Sequence, residues 1–390
     1  SDCLNILPAK NGQSGNGIQQ GQCTKAFAAG LLVRLYLNAE KWIGEARWNS
    51  CEEMCTRIIK GEFGYYEVGP NWYEAFDWNN DTSNEVIFAF PSSYGMNHWH
   101  MLQNHRTVYG RSMPYGSANY LDIEGDGERN PQFAISPSYD NQNPPQLFTY
   151  ELGMVTQKFL KYPGDVRYKQ YKNTSSKSRE GMFFLEGKIP NARMNGGYAY
   201  DPFNQYVIYL RDQVGRFESK AADGVISNPN YAESKYENGD FNSGFYCVKY
   251  PFYSFSGGYF AESDYTIMRF PEIIYSKAEC LLRLNRVAEA GKLLNSVRKR
   301  NYKNFDANIA YEPEGNVKLD LKEMLDEWGR EFLNETRRRT DLIRFGRFQE
   351  EWWDKPRDKD NHYEIFPIPQ KVLEQNKYLK QNPGYPDITR

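Results

Sequence analysis

The sequence predicts a mainly α-helical protein, in which a scaffold of helix pairs carries a large, irregular, loop-rich subdomain with short strands. Three observations lead to this prediction. Amphipathic helix patterns come in pairs near both ends of the 390 residues. The segment between them is dense in Gly, Pro, Asn and Tyr and holds only short strand-like runs. Aromatic residues make up 16% of the chain, and the many Tyr and Trp among them suit partly exposed binding surfaces.

The first helix pair is predicted between residues 24 and 61. Residues 24–40 carry apolar side chains at the spacing of one helix face, at Ala28, Leu31, Leu32, Leu35 and Ala39. A second amphipathic pattern follows a connection that contains Gly44, and Gly61 is placed to end it. Its apolar positions are Trp48, Cys51, Cys55, Ile58 and Ile59. The two cysteines are one helical turn apart, so we expect both to be buried thiols.

A second helix pair is predicted near the other end, with Asn285 and Arg286 at its turn. Its apolar positions are Ile274, Ala278, Leu281 and Leu282, then Ala290, Leu293, Leu294 and Val297. A further amphipathic run passes through Leu321, Leu325, Trp328 and Phe332. Such pairs resemble tetratricopeptide-type repeats, although no clean repeat period runs through the chain. Because each pair has an apolar face that it cannot bury alone, the pairs must stack. They can do so only if the intervening segment loops out and returns.

The intervening segment, residues 79–270, is predicted to form the loop-rich subdomain. Its strand-like runs are Glu85–Phe90, Tyr206–Arg211 and Phe245–Tyr250. Long irregular segments inside compact proteins are usually functional or disordered, and the aromatic content favours order. We therefore divide the chain into a first scaffold part (1–78), a ligand-binding subdomain (79–270), and a second scaffold part with a C-terminal segment (271–390).

Composition excludes some classes of function. The formal net charge is -2, so the polybasic footprint of a nucleic-acid-binding protein is missing. No run of about 20 apolar residues predicts a membrane-spanning helix. A basic segment followed by an apolar stretch, as in a signal peptide, is also absent from this sequence.

Five blocks, in order along the chain, resemble the SusD/RagB family. They are TKAFAAGLLVRLYLNAEKWIGEARW (24–48), YYEVGPNWYEAFDWNNDTSNEVIFAFP (65–91), MRFPEIIYSKAECLLRLNRVAEAGKLLNSVRKR (268–300), EWGREFLNETRRRTDLIRFGRF (327–348) and FPIPQKVLEQNKYLKQNPGY (366–385). The last two blocks are the most specific. Relative to the family pattern the sequence begins about a third of the way along, so we expect the lipid-bearing cysteine and the first helical repeats to lie outside it.

The resemblance implies a non-catalytic protein of the Bacteroidetes outer membrane, lipid-anchored and exposed at the surface. It would bind oligosaccharide or polysaccharide for import through a SusC-like TonB-dependent transporter. Peptide binding, which some members of the family carry out, is an alternative. A glycoside hydrolase is a further alternative. That chemistry needs two carboxylates about 5–9 Å apart, and no pattern in the sequence singles out such a pair.

The resemblance also implies where the ligand binds. The loop SSYGMNHWHMLQNHRTVYGRSMPYGSANY (92–120) follows the predicted strand Glu85–Phe90. Family members place a sugar platform here, which the resemblance carries over to Tyr94, Trp99 and Tyr115. Polar or stacking neighbours would be Asn97, Arg111, Asn119 and Tyr120. The alternative is that these aromatic side chains pack the loop onto the scaffold.

An acidic run in the same region is similar to the start of a calcium-binding loop. Asp122, Glu124 and Asp126 alternate and are followed by Gly127, as at the start of an EF-hand loop. The pattern then fails, because Phe133 stands where the closing glutamate should be. A structural calcium ion is therefore one interpretation and a solvated acidic turn the other. No other cofactor is predicted.

A basic block near the C-terminus is predicted to be structural rather than a phosphate site. It contains Arg337, Arg338, Arg339, Arg344 and Arg347. Acidic residues lie close in sequence, and helical spacing would pair several of them with the arginines; they are Glu331, Glu335 and Asp341.

Overall fold

A computed structural model of the protein describes residues 2–10, 21–92, 135–175, 177–188, 200–201, 206–207, 209–214, 233–238, 243–250, 254–255, 258–259 and 263–387. Within these ranges the chain forms ten α-helices: α1 (Asp2–Ile6), α2 (Lys25–Leu37), α3 (Ala39–Ile43), α4 (Trp48–Ile59), α5 (Val155–Leu160), α6 (Phe270–Arg283), α7 (Val287–Arg298), α8 (Leu321–Glu331), α9 (Arg338–Arg344) and α10 (Gln370–Gln375). No helix in these ranges combines the length and the apolar composition needed to cross a membrane.

The strands of the described ranges are short and pair two by two. They are β1 (Val86–Phe90), β2 (Lys172–Ser175), β3 (Ser178–Glu180), β4 (Phe183–Phe184), β5 (Gly187–Lys188), β6 (Tyr200–Asp201), β7 (Tyr206–Val207), β8 (Tyr209–Leu210), β9 (Tyr246–Cys247), β10 (Ser254–Phe255), β11 (Gly258–Tyr259) and β12 (Tyr265–Arg269). The predicted strand-like runs are therefore confirmed in place but are shorter than expected. The mainly α-helical scaffold with a loop-rich part is confirmed.

Helices α2 and α4 form the first predicted pair. The side chain of Thr24 caps α2 by accepting a hydrogen bond from the amide of Phe27 at 3.2 Å, as polar N-cap residues do. Gly44 ends α3 with a left-handed φ of 73°, and Gly61 follows α4 with a φ of 79°. Cys51 and Cys55 are both fully buried, as expected.

The predicted apolar face of residues 24–40 is wrong at Leu31 and Leu35, although Ala39 is buried and Leu32 packs against the core. Leu31 and Leu35 are 42% and 66% exposed, and the buried side of the helix carries Ala26, Ala29, Gly30, Val33 and Leu37. Helix α2 is apolar on both sides, so spacing alone allows two solutions. Packing selects the small residues, because they let neighbouring side chains approach closely. A Cβ atom at Gly30 would lie 2.2 Å from the sulfur of Met268.

The two helix pairs stack into one core, as expected. Helix α6 packs against both α4 and α7, and Asn285 makes the turn between α6 and α7 with a φ of 60°. Of the run predicted for α8, Leu325, Trp328 and Phe332 are buried, whereas Leu321 is 43% exposed. The shared core contains apolar residues from both halves of the chain, among them Val33, Cys55, Ile273, Ala278, Leu294 and Trp328.

Strands β1 and β12 bring the start and the end of the loop-rich segment together. They pair antiparallel, with Val86 opposite Arg269 and Phe90 opposite Tyr265. The chain therefore leaves the helical scaffold and returns to it along one two-stranded ladder. The division of the chain at residues 78 and 270 stays a prediction.

The basic block on and around α9 binds carboxylates and carbonyl groups of the scaffold, as a structural role requires. Arg344 pairs with Glu279 at 2.9 Å and Asp341 at 2.8 Å, and Arg337 pairs with Glu272. Pairing within the block is wrong for two of the three predicted acids. Glu331 and Glu335 bind arginines that lie outside the block, because the fold brings those arginines closer.

Candidate ligand-binding site

The residues predicted to form the sugar platform lie between residues 93 and 134, outside the described residues. These are Tyr94, Asn97, Trp99, Arg111, Tyr115, Asn119 and Tyr120. The proposed calcium ligands Asp122, Glu124 and Asp126 lie there too. All ten assignments stay predictions. The structure does describe the framework that holds both ends of this loop, at Ser92 and Ile135.

Both ends of the loop are held by hydrogen bonds to the backbone or side chains of neighbouring segments. The amide of Ser92 donates to Oδ1 of Asp264 at 2.8 Å. The amide of Ile135 donates to the carbonyl of Phe245 at 2.7 Å. We call this framework the loop base, formed by Phe90, Ser92, Ile135, Phe245, Asp264 and Tyr265.

The two anchors of the loop base are connected through Tyr250. Its hydroxyl accepts a hydrogen bond from the amide of Thr266 at 2.9 Å, and its ring lies 6.2 Å from that of Tyr265. Tyr250 belongs to the same short segment as Phe245. The anchor at Ile135 and the anchor at Ser92 are therefore parts of one packed unit.

Asn80 positions Asp264 for its contact with the loop. The side chain of Asn80 is almost fully buried, and its Nδ2 donates to the carbonyl of Asp264 at 2.8 Å and to that of Ala75 at 2.9 Å. Its Oδ1 accepts from the amide of Asp264 at 2.7 Å. These contacts satisfy a buried amide and hold the backbone of Asp264, so its carboxylate stays directed at Ser92.

The carboxyl group of Asp264 has an unusual acidity. Burial raises its pKa to about 6, the amide of Ser92 opposes this rise, and the negative charge of Asp81 adds to it. Desolvation penalises the charged form of a carboxyl group, which is the physical cause of the shift. The anchor of the loop can therefore titrate in a mildly acidic range.

Phe90 provides an open aromatic surface at the start of the loop. Its side chain is 52% exposed. Its ring stacks on Tyr265 with centroids 6.2 Å apart and an interplanar angle of 12°. The edge contact with Phe88, at 5.8 Å and 76°, holds the ring from another side. A ring fixed in this way can stack against the C–H face of a sugar or another flat ligand.

Phe90 is not among the residues predicted to bind ligand, because in the sequence it is only the end of a predicted strand. The four residues before it, Val86–Ala89, are all buried. Phe90 is the last residue before Pro91, which cannot continue a ladder of hydrogen bonds. An aromatic residue at the point where a buried strand ends is the signal that could have identified it.

A buried cluster of ion pairs ties the loop base to the helical scaffold. Glu331, at the end of α8, binds Arg269 at 2.7 Å, Arg167 at 2.9 Å and Arg300 at 3.0 Å. Arg269 ends β12, and Arg167 belongs to the loop-rich segment. We call this group the Glu331 cluster, formed by Glu85, Arg167, Lys249, Arg269, Arg300, Glu331 and Glu335.

The Glu331 cluster keeps the carboxylate of Glu331 charged. Burial alone would raise the pKa of Glu331, but Arg269, Arg300 and Arg167 outweigh it, so the pKa lies well below the ordinary value. Lys249 and Arg269 also donate to the carbonyl of Glu331, at 3.0 Å and 2.9 Å. Cations at this position complement the negative end of α8. Each carboxylate of the cluster is therefore bound by at least one cation.

Metal binding has no candidate in the part of the chain that the structure describes. No group of three or more His, Cys, Asp or Glu side chains there is arranged to hold an ion. The loop base presents the exposed, stacked ring of Phe90, whereas the carboxyl group of Asp264 is buried.

Comparison with known proteins gives consistent matches. The sequence profile of the SusD family matches residues 63–385. The starch-binding protein SusD of Bacteroides thetaiotaomicron is 25% identical over 386 aligned residues, which cover 94% of this chain and 61% of that protein. The chain thus spans less than two thirds of the length of this relative.

Solved structures show the same fold at low sequence identity. NanU of Bacteroides fragilis is 17% identical, with a TM-score of 0.56, over 94% of this chain and 64% of that one. Surface glycan-binding protein A of Bacteroides thetaiotaomicron, solved in complex with laminarihexaose, is 16% identical, with a TM-score of 0.50. That match covers 97% of this chain and 67% of the other.

Proposed function

Because this chain belongs to the SusD family, we propose that it binds oligosaccharide at the bacterial cell surface and does not break it. The observation that carries this proposal is the family match over residues 63–385 together with a starch-binding relative. The structure with laminarihexaose supports the same class of ligand, because that protein shares the fold.

The proposed binding surface combines the loop base with the loop it holds. Sugars present C–H patches on their ring faces and hydroxyl groups at their rims, so a site for them needs flat aromatic rings and polar edges. Phe90 supplies one exposed ring. The proposed platform residues Tyr94, Trp99 and Tyr115 follow it within the same loop. Polar recognition would come from Asn97, Arg111 and Asn119.

Localisation and partner are further parts of the proposal. A lipid-anchored position on the outer membrane would bring the site to the surface. A SusC-like TonB-dependent transporter would take up the bound sugar, so the function would be capture and transfer for import. A shallow surface site buries little of an oligosaccharide, and closure of the transporter against it would supply retention.

The test is a titration of the purified chain with oligosaccharides and with peptides, read by calorimetry. Oligosaccharides from starch and laminarin are the first panel, since the similar proteins bind these. Saturable heat with at least one oligosaccharide, and none with a peptide panel, is expected. Saturable heat with peptides alone would contradict the proposal and favour peptide capture.

The non-catalytic part of the proposal needs its own assay. Incubation of the chain with a bound polysaccharide should release no new reducing ends. Reducing ends that increase with time and protein concentration would indicate a glycoside hydrolase instead.

A further inference from the structure

A concave site lies between the helical scaffold and the segment around α5, next to the Ile135 end of the loop base. It is a cavity of about 510 Å³, within the range of about 300–1,000 Å³ that is usual for small-molecule sites. The connection between α8 and α9 forms one side of it. Helix α5 and Trp352 form the other.

Most of the cavity wall is apolar. The side chains that define its shape are Leu152, Val155, Phe159, Leu333, Leu342 and Trp352. Gly153 lies against Trp352, since a Cβ atom at this glycine would be 3.7 Å from the indole ring. A cavity of this character favours the apolar body of a ligand.

Charged groups also line the cavity, and all but one have an opposite charge beside them. Lys158 pairs with Asp326 at 2.8 Å and Arg330 with Glu327 at 2.7 Å. The other paired groups are Glu335 with Arg269, Arg337 with Glu272, and Asp341 with Arg344. Their charges are already neutralised within the protein. A charged ligand would gain little from any of them.

Arg338 is the exception. Its Nη1 donates to the carbonyl of Leu325 at 2.7 Å, and among the described residues no carboxylate oxygen lies within 4.0 Å of its guanidinium group. Burial lowers its pKa, while the more distant Asp341 and Asp326 act in the opposite direction. A desolvated cation without a counterion is unfavourable, and a ligand anion would relieve this penalty.

Arg338 lines the cavity and is half-buried. Gly329 faces the guanidinium group, and a Cβ atom there would lie 3.1 Å from Nη1. One nitrogen atom, Nη1, donates to the carbonyl of Leu325. A guanidinium group in this state matches a carboxylate, which can accept two parallel hydrogen bonds.

We propose that this cavity binds a small amphiphilic carboxylate, with its carboxylate on Arg338 and its apolar chain or ring against Phe159, Leu333 and Trp352. One unpaired cation calls for one negative charge, which favours a monocarboxylate over a phosphate monoester. The cavity does not include the exposed ring of Phe90, on which the proposed glycan surface depends.

The experiment is calorimetric titration of the chain with three probes. Octanoate carries both the apolar chain and the carboxylate, 1-octanol carries only the chain, and glucuronate carries the carboxylate on a polar ring. Octanoate should bind saturably, and the other two at least tenfold more weakly. The wild-type chain alone can overturn the proposal. It would do so if octanoate did not bind, or if octanol or glucuronate bound with the same affinity as octanoate.

Variants then test the role of each wall. Arg338→Leu should abolish the preference for octanoate over octanol, and Arg338→Lys should keep part of it. Trp352→Ala should weaken octanoate binding at least fivefold. Arg357→Gln is the matched control, because Arg357 is exposed on the surface and does not line the cavity.

Melting temperatures separate loss of binding from loss of fold. If Arg338→Leu melts well below the wild type, Arg338→Lys and the three probes show whether Arg338 binds the carboxylate. Unchanged octanoate affinity in a folded Arg338→Leu or Arg338→Lys variant would rule out the assigned contact.

Discussion

The Nη1 atom of Arg269 lies 2.7 Å from Oε1 of Glu331, and both side chains are almost completely buried. Arg269 ends the strand on which the chain returns from the loop-rich segment, and Glu331 ends helix α8. The contact therefore joins the loop base to the helical scaffold. Arg167 and Arg300 reach the same carboxylate, so removal of one acid would leave several buried cations with a reduced set of partners.

Glu331→Gln should destabilise the fold strongly. The amide keeps the shape of the side chain but removes the charge that Arg167, Arg269 and Arg300 share. Breaking a buried ion pair in this way costs about 3–5 kcal/mol. Urea denaturation measures the loss. Glu351→Gln at an exposed position is the control, with an expected change within about 0.5 kcal/mol. Equal stabilities of the two variants would contradict the assigned role.

Asp264 should make stability depend on pH in a defined direction. Its pKa is raised from 3.8 to about 6, so the folded protein takes up a proton before the unfolded chain does. The contribution of Asp264 to the free energy of unfolding is therefore present at acidic pH and is lost as the pH rises through about 6. On acidification from about pH 7.5 to about pH 5, protonation of Asp264 should raise the free energy of unfolding by about 1 kcal/mol.

Asp264→Asn isolates this contribution, because the amide oxygen can still accept the hydrogen bond from Ser92. Urea unfolding of both proteins at the two pH values is the measurement. The wild type should gain about 1 kcal/mol more than the variant on acidification. An equal gain in both proteins would show that Asp264 does not titrate in this range.

Phe90→Ala should weaken oligosaccharide binding at least tenfold, with little change in melting temperature. The ring is half exposed, so its loss costs binding more than folding, and stacked aromatic anchors contribute about 2 kcal/mol. Calorimetry with the best oligosaccharide is the measurement. Phe366→Ala is the control, since Phe366 is 71% exposed and lies outside the loop base.

The sequence-predicted platform is tested in the same titration. Trp99→Ala or Tyr115→Ala should each weaken oligosaccharide binding at least tenfold. If both variants kept the wild-type affinity for oligosaccharide while Phe90→Ala lost it, the sugar would bind at the loop base and not on the predicted loop.

Thr336→Gly should stabilise the protein. Thr336 has a φ of 58°, a left-handed conformation that costs a β-branched residue about 1–2 kcal/mol. Its hydroxyl donates only to the adjacent carbonyl of Glu335. Part of the gain is offset by the greater freedom of glycine in the unfolded chain, so about 1 kcal/mol is expected in urea denaturation. Thr340→Gly within α9 should change stability in the opposite direction.

Much of the fold could be predicted from local sequence patterns. The spacing of apolar residues located α4, α6 and α7, and the apolar positions predicted for them are buried or half-buried. Helix α2 is apolar on both sides, so the spacing does not distinguish them, and the small residues Ala29 and Gly30 lie on the side that packs. Five sequence blocks were sufficient to indicate the family.

The candidate site could be predicted from the sequence only in part. The loop after β1 was identified by resemblance, but the exposed ring of Phe90 and its stack on Tyr265 depend on a partner 175 residues away. Likewise, no local pattern connects Arg338 to the cavity, since its lack of a counterion results from how the neighbouring acids pair elsewhere.

Local patterns in the sequence were sufficient to locate the longer helices, since periodicity and turn residues act over a few positions along the chain. Tertiary structure alone decided which side of α2 is buried, which arginines neutralise Glu331 and which cation is left unpaired. These outcomes depend on distances between segments far apart in the chain, and burial makes the energy of each charge depend on those distances.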